Sequence, residues 1–340
     1  MNQNGNELRE IARRLVAEGK GILAADESTG TITKRLASID VPSNEETRRT
    51  YRELLFTTPG MESFISGVIM YDETIHQETG AGTPLPQVLE DVGVVPGIKV
   101  DTGTIEMPFF PGEYITEGLD GLRERLVHYY DSGARFAKWR AVITIGPTRP
   151  TLTCIDANAH ALARYAALCQ EVGLVPIVEP EVLMDGDHDI DTCQAATDAT
   201  LRRVFIQLRR HLVELDGILL KPNMVLPGED AEEQVDDETI ARYTLETFYR
   251  SVPAAVPGIV FLSGGQSPEA ATRRLNEMNQ MGPHPWALSF SYGRALQEPV
   301  LEAWRGHAKN EADAQQAFHH RARMNSLATQ GEYTAEAETG

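Results

Sequence analysis

Cysteine is scarce in this 340-residue chain, which holds only Cys154, Cys169 and Cys193. Three is an odd number, and their spacing fits no metal pattern, so a disulfide framework and a zinc site are both disfavoured. Long apolar runs are also missing, and none approaches the ~20 residues that a membrane-spanning helix needs. Positive charge is in deficit: 31 Lys and Arg face 50 Asp and Glu, a net charge of −19. A surface of that sign repels nucleic-acid phosphates and anionic lipid, so neither nucleic acid nor membrane is expected as a partner. The opening residues Met1 to Asn6 lack the basic and apolar regions of a secretory leader, and the expected location is cytoplasmic.

What the chain does contain is a series of short apolar runs. They are Gly21–Asp26, Phe64–Met70, Gly97–Asp101, Phe136–Ile143, Leu174–Glu181, Gly217–Lys221, Gly258–Ser263 and Ala287–Ser291. Each reads as a strand buried on both faces. Most are separated by helical periodicity, as in Glu45–Phe56, Leu119–Tyr130, Asn158–Val172, Ala195–Glu214, Glu238–Tyr249 and Ser267–Met278. Eight strand–helix units predict an α/β fold, a (β/α)8 TIM barrel. A doubly wound open sheet would carry a glycine fingerprint after its first strand, and Asp26-Glu27-Ser28-Thr29-Gly30 is not one. Residues 1–340 are expected to form a single domain, with an N-terminal helical extension and a short tail from about residue 326.

Lys221 ends the run Gly217-Ile218-Leu219-Leu220, and Pro222 biases it toward an extended backbone. A lysine at the mouth of a buried strand loses its charge readily and can then act as an amine nucleophile that forms a Schiff base. It does not stand alone. Residues i and i+2 of a strand share a face, which pairs Lys138 with Arg140, Glu179 with Glu181, and Lys99 with Asp101. Turned inward, these residues place Lys99, Lys138, Arg140 and Lys221 against Asp26, Asp101, Glu179 and Glu181. The charges balance, which makes their burial tolerable. Lys138 is expected to favour the neutral amine of Lys221, and repulsion between Glu179 and Glu181 to raise one pKa of the two toward the range useful for proton transfer. Asp26 is the candidate base for cleaving a carbon–carbon bond beta to an iminium.

Two anion sites are expected at the same mouth. Ser263-Gly264-Gly265 follows the seventh run, and Ser291-Tyr292-Gly293-Arg294 ends the eighth. Glycine lets backbone N–H groups approach an anion closely, and these two loops are the usual phosphate cradle of the barrel. Ser28, Thr31 and Lys99 supply the second site.

The motifs Gly-Ile-Leu-Ala-Ala-Asp26-Glu27-Ser28-Thr29-Gly30, Phe-Ala-Lys138-Trp139-Arg140, Val-Glu179-Pro-Glu181, Leu-Leu-Lys221-Pro-Asn-Met and Leu-Ser263-Gly-Gly-Gln are read together. In order and spacing, from about Leu8 to Tyr333, the chain resembles class I fructose-bisphosphate aldolase. The resemblance implies reversible, metal-independent cleavage of fructose 1,6-bisphosphate through a Schiff base on Lys221, with Glu179 handling protons as it forms. It implies that Asp26 acts on the C4 hydroxyl while Lys138 and Arg140 position substrate. The C1 phosphate would lie on Ser263, Gly264, Gly293 and Arg294, and the C6 phosphate by Ser28, Thr31 and Lys99. It also implies a homotetramer and no cofactor. Family members in animals and plants end in a mobile tail closed by a tyrosine; Tyr333 lies where that tail begins and is not given its role.

Four segments invite other readings. Asp185-Gly186-Asp187-His188-Asp189 is reminiscent of a metal loop but lacks the glycine and glutamate an EF-hand needs at Ile190 and Ala196. His319 and His320 read as a solvated helical face. So do the seven acids between Gly228 and Glu238, as a loop and helix start, and Glu336 and Glu338 as part of the tail. Another Schiff-base sugar-phosphate aldolase would share the lysine but not both phosphate sites. A scaffold role would need no desolvated lysine.

Overall fold

The computed structural model describes residues 5–339. Its strands are β1 (Gly21–Ala25), β2 (Ile65–Met70), β3 (Val95–Lys99), β4 (Gly103–Glu106), β5 (Tyr114–Glu117), β6 (Phe136–Ile143), β7 (Val175–Val182), β8 (Leu219–Leu220), β9 (Gly258–Phe261) and β10 (Ala287–Tyr292). Eight of them close into a barrel in the order β1-β2-β3-β6-β7-β8-β9-β10, with every neighbouring pair parallel. The expected (β/α)8 class is the observed one. Strands β4 and β5 form a separate antiparallel hairpin between β3 and the next helix, an insertion too short and polar for apolar periodicity to reveal.

The crossover helices begin where a side chain can satisfy the first orphan N–H groups. Asn44, Thr151, Asp189, Asp236 and Ser267 each accept from the backbone N–H three residues on. Asp189 is thereby a helix cap in the loop reminiscent of a metal site. Asp237, in the acidic stretch, pairs with Arg273 and Arg274 at 2.8 Å. The sixth run is shorter than expected, because Leu215–Gly217 folds as a 3-10 turn and leaves Leu219–Leu220 as strand. Lys221 still extends the ladder, its N–H donating to Val178 O at 2.8 Å.

Alternation along the strands decides what the barrel holds. Ile22, Ala24, Ile69, Val95, Phe136, Val175, Ile177, Leu219 and Val260 form one interior cluster with Leu8, Ile11, Ala12 and Leu15. Those last four belong to the helix Gly5–Leu15, which plugs the N-terminal end of the barrel. Phe136 fills the interior so completely that a Cβ on Gly97 would lie 2.3 Å from its ring. Two or four residues further along the same strands, on the same face, stand Asp26, Lys99, Lys138, Glu179 and Lys221. The apolar plug ends and the charged mouth begins.

The last long helix, Glu311–Thr329, runs past the residue-326 boundary, so the stretch beyond it starts at residue 330. Two expectations about this region are corrected. His319 and His320 are half-buried: His319 meets Phe64 edge-on at 5.1 Å, and His320 Nε2 lies 3.0 Å from Glu338 Oε2. Glu338 is not solvated either, since it also accepts from Arg321 and Tyr333. Its partners lie 5 to 18 residues away, beyond what local pattern can show.

Candidate active site

An open cleft of about 430 Å³ lies at the C-terminal ends of the barrel strands. That is within the range for a small-molecule site. Its walls contain every site residue read from the sequence except Gly265. Gly265 instead makes the turn behind the wall. Its φ is +70°, and a Cβ there would meet Met184 Sδ at 2.7 Å and Glu229 Oε1 at 3.0 Å.

Four carboxylates and four cations converge in this cleft. Lys221 and Lys138 are each 4% exposed and Glu179 is 3% exposed. Glu179 stands between the two lysines, Oε1 lying 3.2 Å from Lys221 Nζ and Oε2 3.2 Å from Lys138 Nζ. On its other side Lys138 pairs with Asp26 Oδ2 at 2.6 Å. Arg140 pairs with Glu181, and Lys99 with Asp101 Oδ1 at 2.5 Å and with the Asp101 carbonyl at 2.7 Å. The predicted four-against-four set is therefore assembled.

Its internal wiring differs from expectation in two respects. The expected repulsion between Glu179 and Glu181 does not raise Glu179. Burial pushes its carboxyl upward, but Lys138, Lys221 and Arg140 outweigh this and hold it below the usual carboxylate range, while Glu181 is occupied by Arg140. Nor do Lys138 and Lys221 face one another bare, because Glu179 is a counterion to both. Burial likewise opposes the charged form of Lys138, yet Asp26 and Glu179 prevail and push its pKa up. Asp26 is held far down by Lys138 and Lys221 against its own burial. These shifts favour the cationic form of Lys138 and the ionised form of Asp26.

The rim supplies donors for anions. Ser28 caps the helix Thr29–Ala37, accepting from Thr31 N–H, and its Oγ lies 3.2 Å from Thr31 Oγ1. Ser263 is buried, and the α-carbon of Gly264 is so near Glu181 that a Cβ would lie 3.1 Å from Oε1. Gly293 precedes the helix Arg294–Trp304, whose free N–H groups and positive dipole end favour an anion. Ser291 Oγ is buried without a hydrogen-bond partner among the described residues, which leaves its hydroxyl for a ligand.

Arg35, Tyr71 and Thr104 also line the cleft and were not singled out from the sequence. Arg35 sits one helical turn after Thr31, a spacing that would have shown it. It is held by Glu27, which also accepts from Arg52 Nη2 at 2.6 Å and Gln297 Nε2 at 2.8 Å. Burial raises the Glu27 carboxyl, but Arg52 and Arg35 pull it below its ordinary value. No group of three or more His, Cys, Asp or Glu arranged for a metal occurs among the described residues.

The family model for class-I fructose-bisphosphate aldolase matches residues 7–340. A probable class 1 fructose-bisphosphate aldolase of Xanthomonas campestris is 56% identical over 328 residues, covering 96% of this chain and 98% of that protein. Fructose-bisphosphate aldolase 4, cytosolic, of Arabidopsis thaliana is 54% identical over 335 residues, covering 98% of this chain and 85% of that protein. Among solved structures, the Plasmodium falciparum aldolase in complex with TRAP and a small molecule inhibitor superposes with a TM-score of 0.97. It shares 49% identity over 98% of this chain and 97% of that one. Fold, charged mouth and full-length similarity agree: the chain belongs to the class I fructose-bisphosphate aldolases, lyases that cleave fructose 1,6-bisphosphate reversibly through a lysine Schiff base.

Proposed function

We propose that Lys221 is the Schiff-base lysine and that the acids beside it divide the proton transfers. The observation that carries this reading is the placement of Glu179, 3.2 Å from the Nζ of both Lys221 and Lys138. Glu179 takes a proton from Lys221, whose amine then attacks C2 of the ketose. The same carboxyl returns that proton to the carbinolamine hydroxyl, which leaves as water and gives the iminium. Asp26, kept ionised by Lys138, accepts the C4 hydroxyl proton; the C3–C4 bond breaks, its electrons reduce the iminium to an enamine, and the aldehyde departs. Protonation at C3 and hydrolysis release dihydroxyacetone phosphate. Arg140, fixed by Glu181, and Lys138 hold the chain of the sugar.

Ser263, Gly264, Ser291, Gly293 and Arg294 bind the C1 phosphate, and Ser28, Thr31 and Lys99 approach the C6 phosphate with Arg35. The working protein is a cytoplasmic homotetramer acting without a cofactor, each chain forming one barrel domain. What supports the location is the cytosolic Arabidopsis relative, and what supports the tetramer is family habit.

The roles separate in two variants. Asp26→Asn accumulates borohydride-trappable imine while cleavage falls, general-base losses being ~10²–10⁴-fold. Glu179→Gln instead slows formation of the imine. Equal, native rates of imine formation in both variants would refute the division.

A further inference from the structure

Arg321 is 3% exposed, buried on the helix Glu311–Thr329. Its Nη1 donates to both oxygens of Glu338, at 2.6 and 2.7 Å. Its Nη2 donates to Pro268 O at 3.2 Å and to Thr272 Oγ1 at 2.6 Å. Among the described ion pairs Glu338 is its only acid. Glu338 is itself gathered by His320 and Tyr333, and Tyr333 N–H donates to Asn276 Oδ1 at 2.9 Å. Those contacts pull the Glu338 carboxyl below its ordinary value despite burial, while burial together with Glu338 pushes the Tyr333 hydroxyl up to about 12.

The receiving end of this network is the first turn of the helix Pro268–Gln280. That helix is capped by Ser267 and follows directly on the loop Ser263–Gln266. Pro268 is five residues from Ser263, and the loop between them turns through a positive φ at Gly265. Among the described residues few other side-chain hydrogen bonds hold this short connection: Gln266 Oε1 accepts from Arg274 Nη1 at 2.9 Å, while Gln266 Nε2 is buried without a partner there. A guanidinium planted on Pro268 O and Thr272 therefore sets where the loop begins its return. It stays planted only while a carboxylate neutralises it in the protein interior.

We infer that Glu338, acting through Arg321, is a positioning residue for substrate: the turn Ala335–Thr339 latches the phosphate loop, and releasing it weakens binding of the C1 phosphate. The inference rests on the reading of Ser263 and Gly264 as phosphate ligands. None of the described hydrogen-bond partners of Glu338 lines the cleft, so its loss loosens binding without removing a reacting group. Without its counterion the buried guanidinium turns toward water, and the helix start and loop lose their anchor.

Glu338→Gln in the full chain tests it, with borohydride trapping titrated against dihydroxyacetone phosphate. The half-saturating concentration is expected to rise about tenfold, worth ~1.4 kcal/mol, with the plateau of trapped protein unchanged. KM for fructose 1,6-bisphosphate rises in parallel, kcat holds within about twofold, and competition by inorganic phosphate weakens. Glu338→Asp keeps the charge and restores at least half of the loss. Half-saturation unchanged while the thermal midpoint falls would mean a purely structural tail and overturn the inference; so would a loss confined to kcat. Should Glu338→Gln fail to fold, Thr272→Val removes a second anchor on the same turn and is read the same way. Absence of trapping in the parent protein would instead refute the reading of the active site.

Discussion

Lys138→Met removes the cation that, among the described ion pairs, joins Asp26 to Glu179. Lys138 lies 2.6 Å from Asp26 and 3.2 Å from Glu179, all three buried. At an effective dielectric near 20, each close pair gains about 4 kcal/mol before desolvation is counted. Methionine fills similar volume, but it leaves two buried carboxylates that share Lys221, with Lys99 acting on Asp26 and Arg140 on Glu179 more weakly. Breaking a buried pair in this way costs about 3–5 kcal/mol. The pH dependence gives the sharper signature. In the parent, Asp26 and Glu179 have folded pKa values below their unfolded ones. Their contribution to stability is thus present above the ordinary carboxylate pKa and fades as pH falls through the folded value. Without Lys138 burial dominates and both values rise, so the variant is penalised most at neutral pH and recovers on acidification. Each unit of rise is worth ~1.4 kcal/mol. Urea midpoints of parent and variant at pH 7.5 and pH 5 test this. The gap is expected to narrow by about 1–3 kcal/mol at the lower pH. A gap equal at both pH values, or one wider at pH 5, would refute the electrostatic account of this cluster.

Glu27→Gln strips Arg52 of a buried counterion and frees Arg35 from its place in the cleft wall. Stability should fall by about 3–5 kcal/mol, and kcat/KM should drop more for fructose 1,6-bisphosphate than for fructose 1-phosphate; equal drops would show that Arg35 does not serve the C6 phosphate. Prolonged EDTA treatment should leave cleavage unchanged, and loss restored by added zinc would contradict Schiff-base chemistry.

Period-two alternation explains why so much of the mouth was legible in the sequence. Once Phe136 or Ile177 is placed inside the barrel, Lys138 and Glu179 must follow on the same face. The buried runs ending in charge therefore gave both the barrel and its catalytic end. What alternation does not contain is which charges meet. Glu179 joins Lys138 and Lys221 rather than Glu181, because β7 sits between β6 and β8 and the carboxylate reaches both neighbours. Glu27 was overlooked for a related reason. It falls on the opposite parity from Asp26, and its partners Arg52 and Gln297 arrive from 25 and 270 residues away. Gly265 was placed on the wall because glycine marks a phosphate loop, but a positive-φ turn needs glycine just as much. The tail read as solvated since its acids show no local partner, and only the packed helices bring Arg321 to Glu338.

The central claim is that Lys221 forms the covalent bond to substrate. Reduction with borohydride in the presence of dihydroxyacetone phosphate, followed by peptide mapping, tests it most directly. One glyceryl-phosphate adduct on the peptide containing Lys221, with irreversible loss of activity, is the predicted result. An adduct on Lys138 or Lys99, or full activity retained without any adduct, would contradict the account.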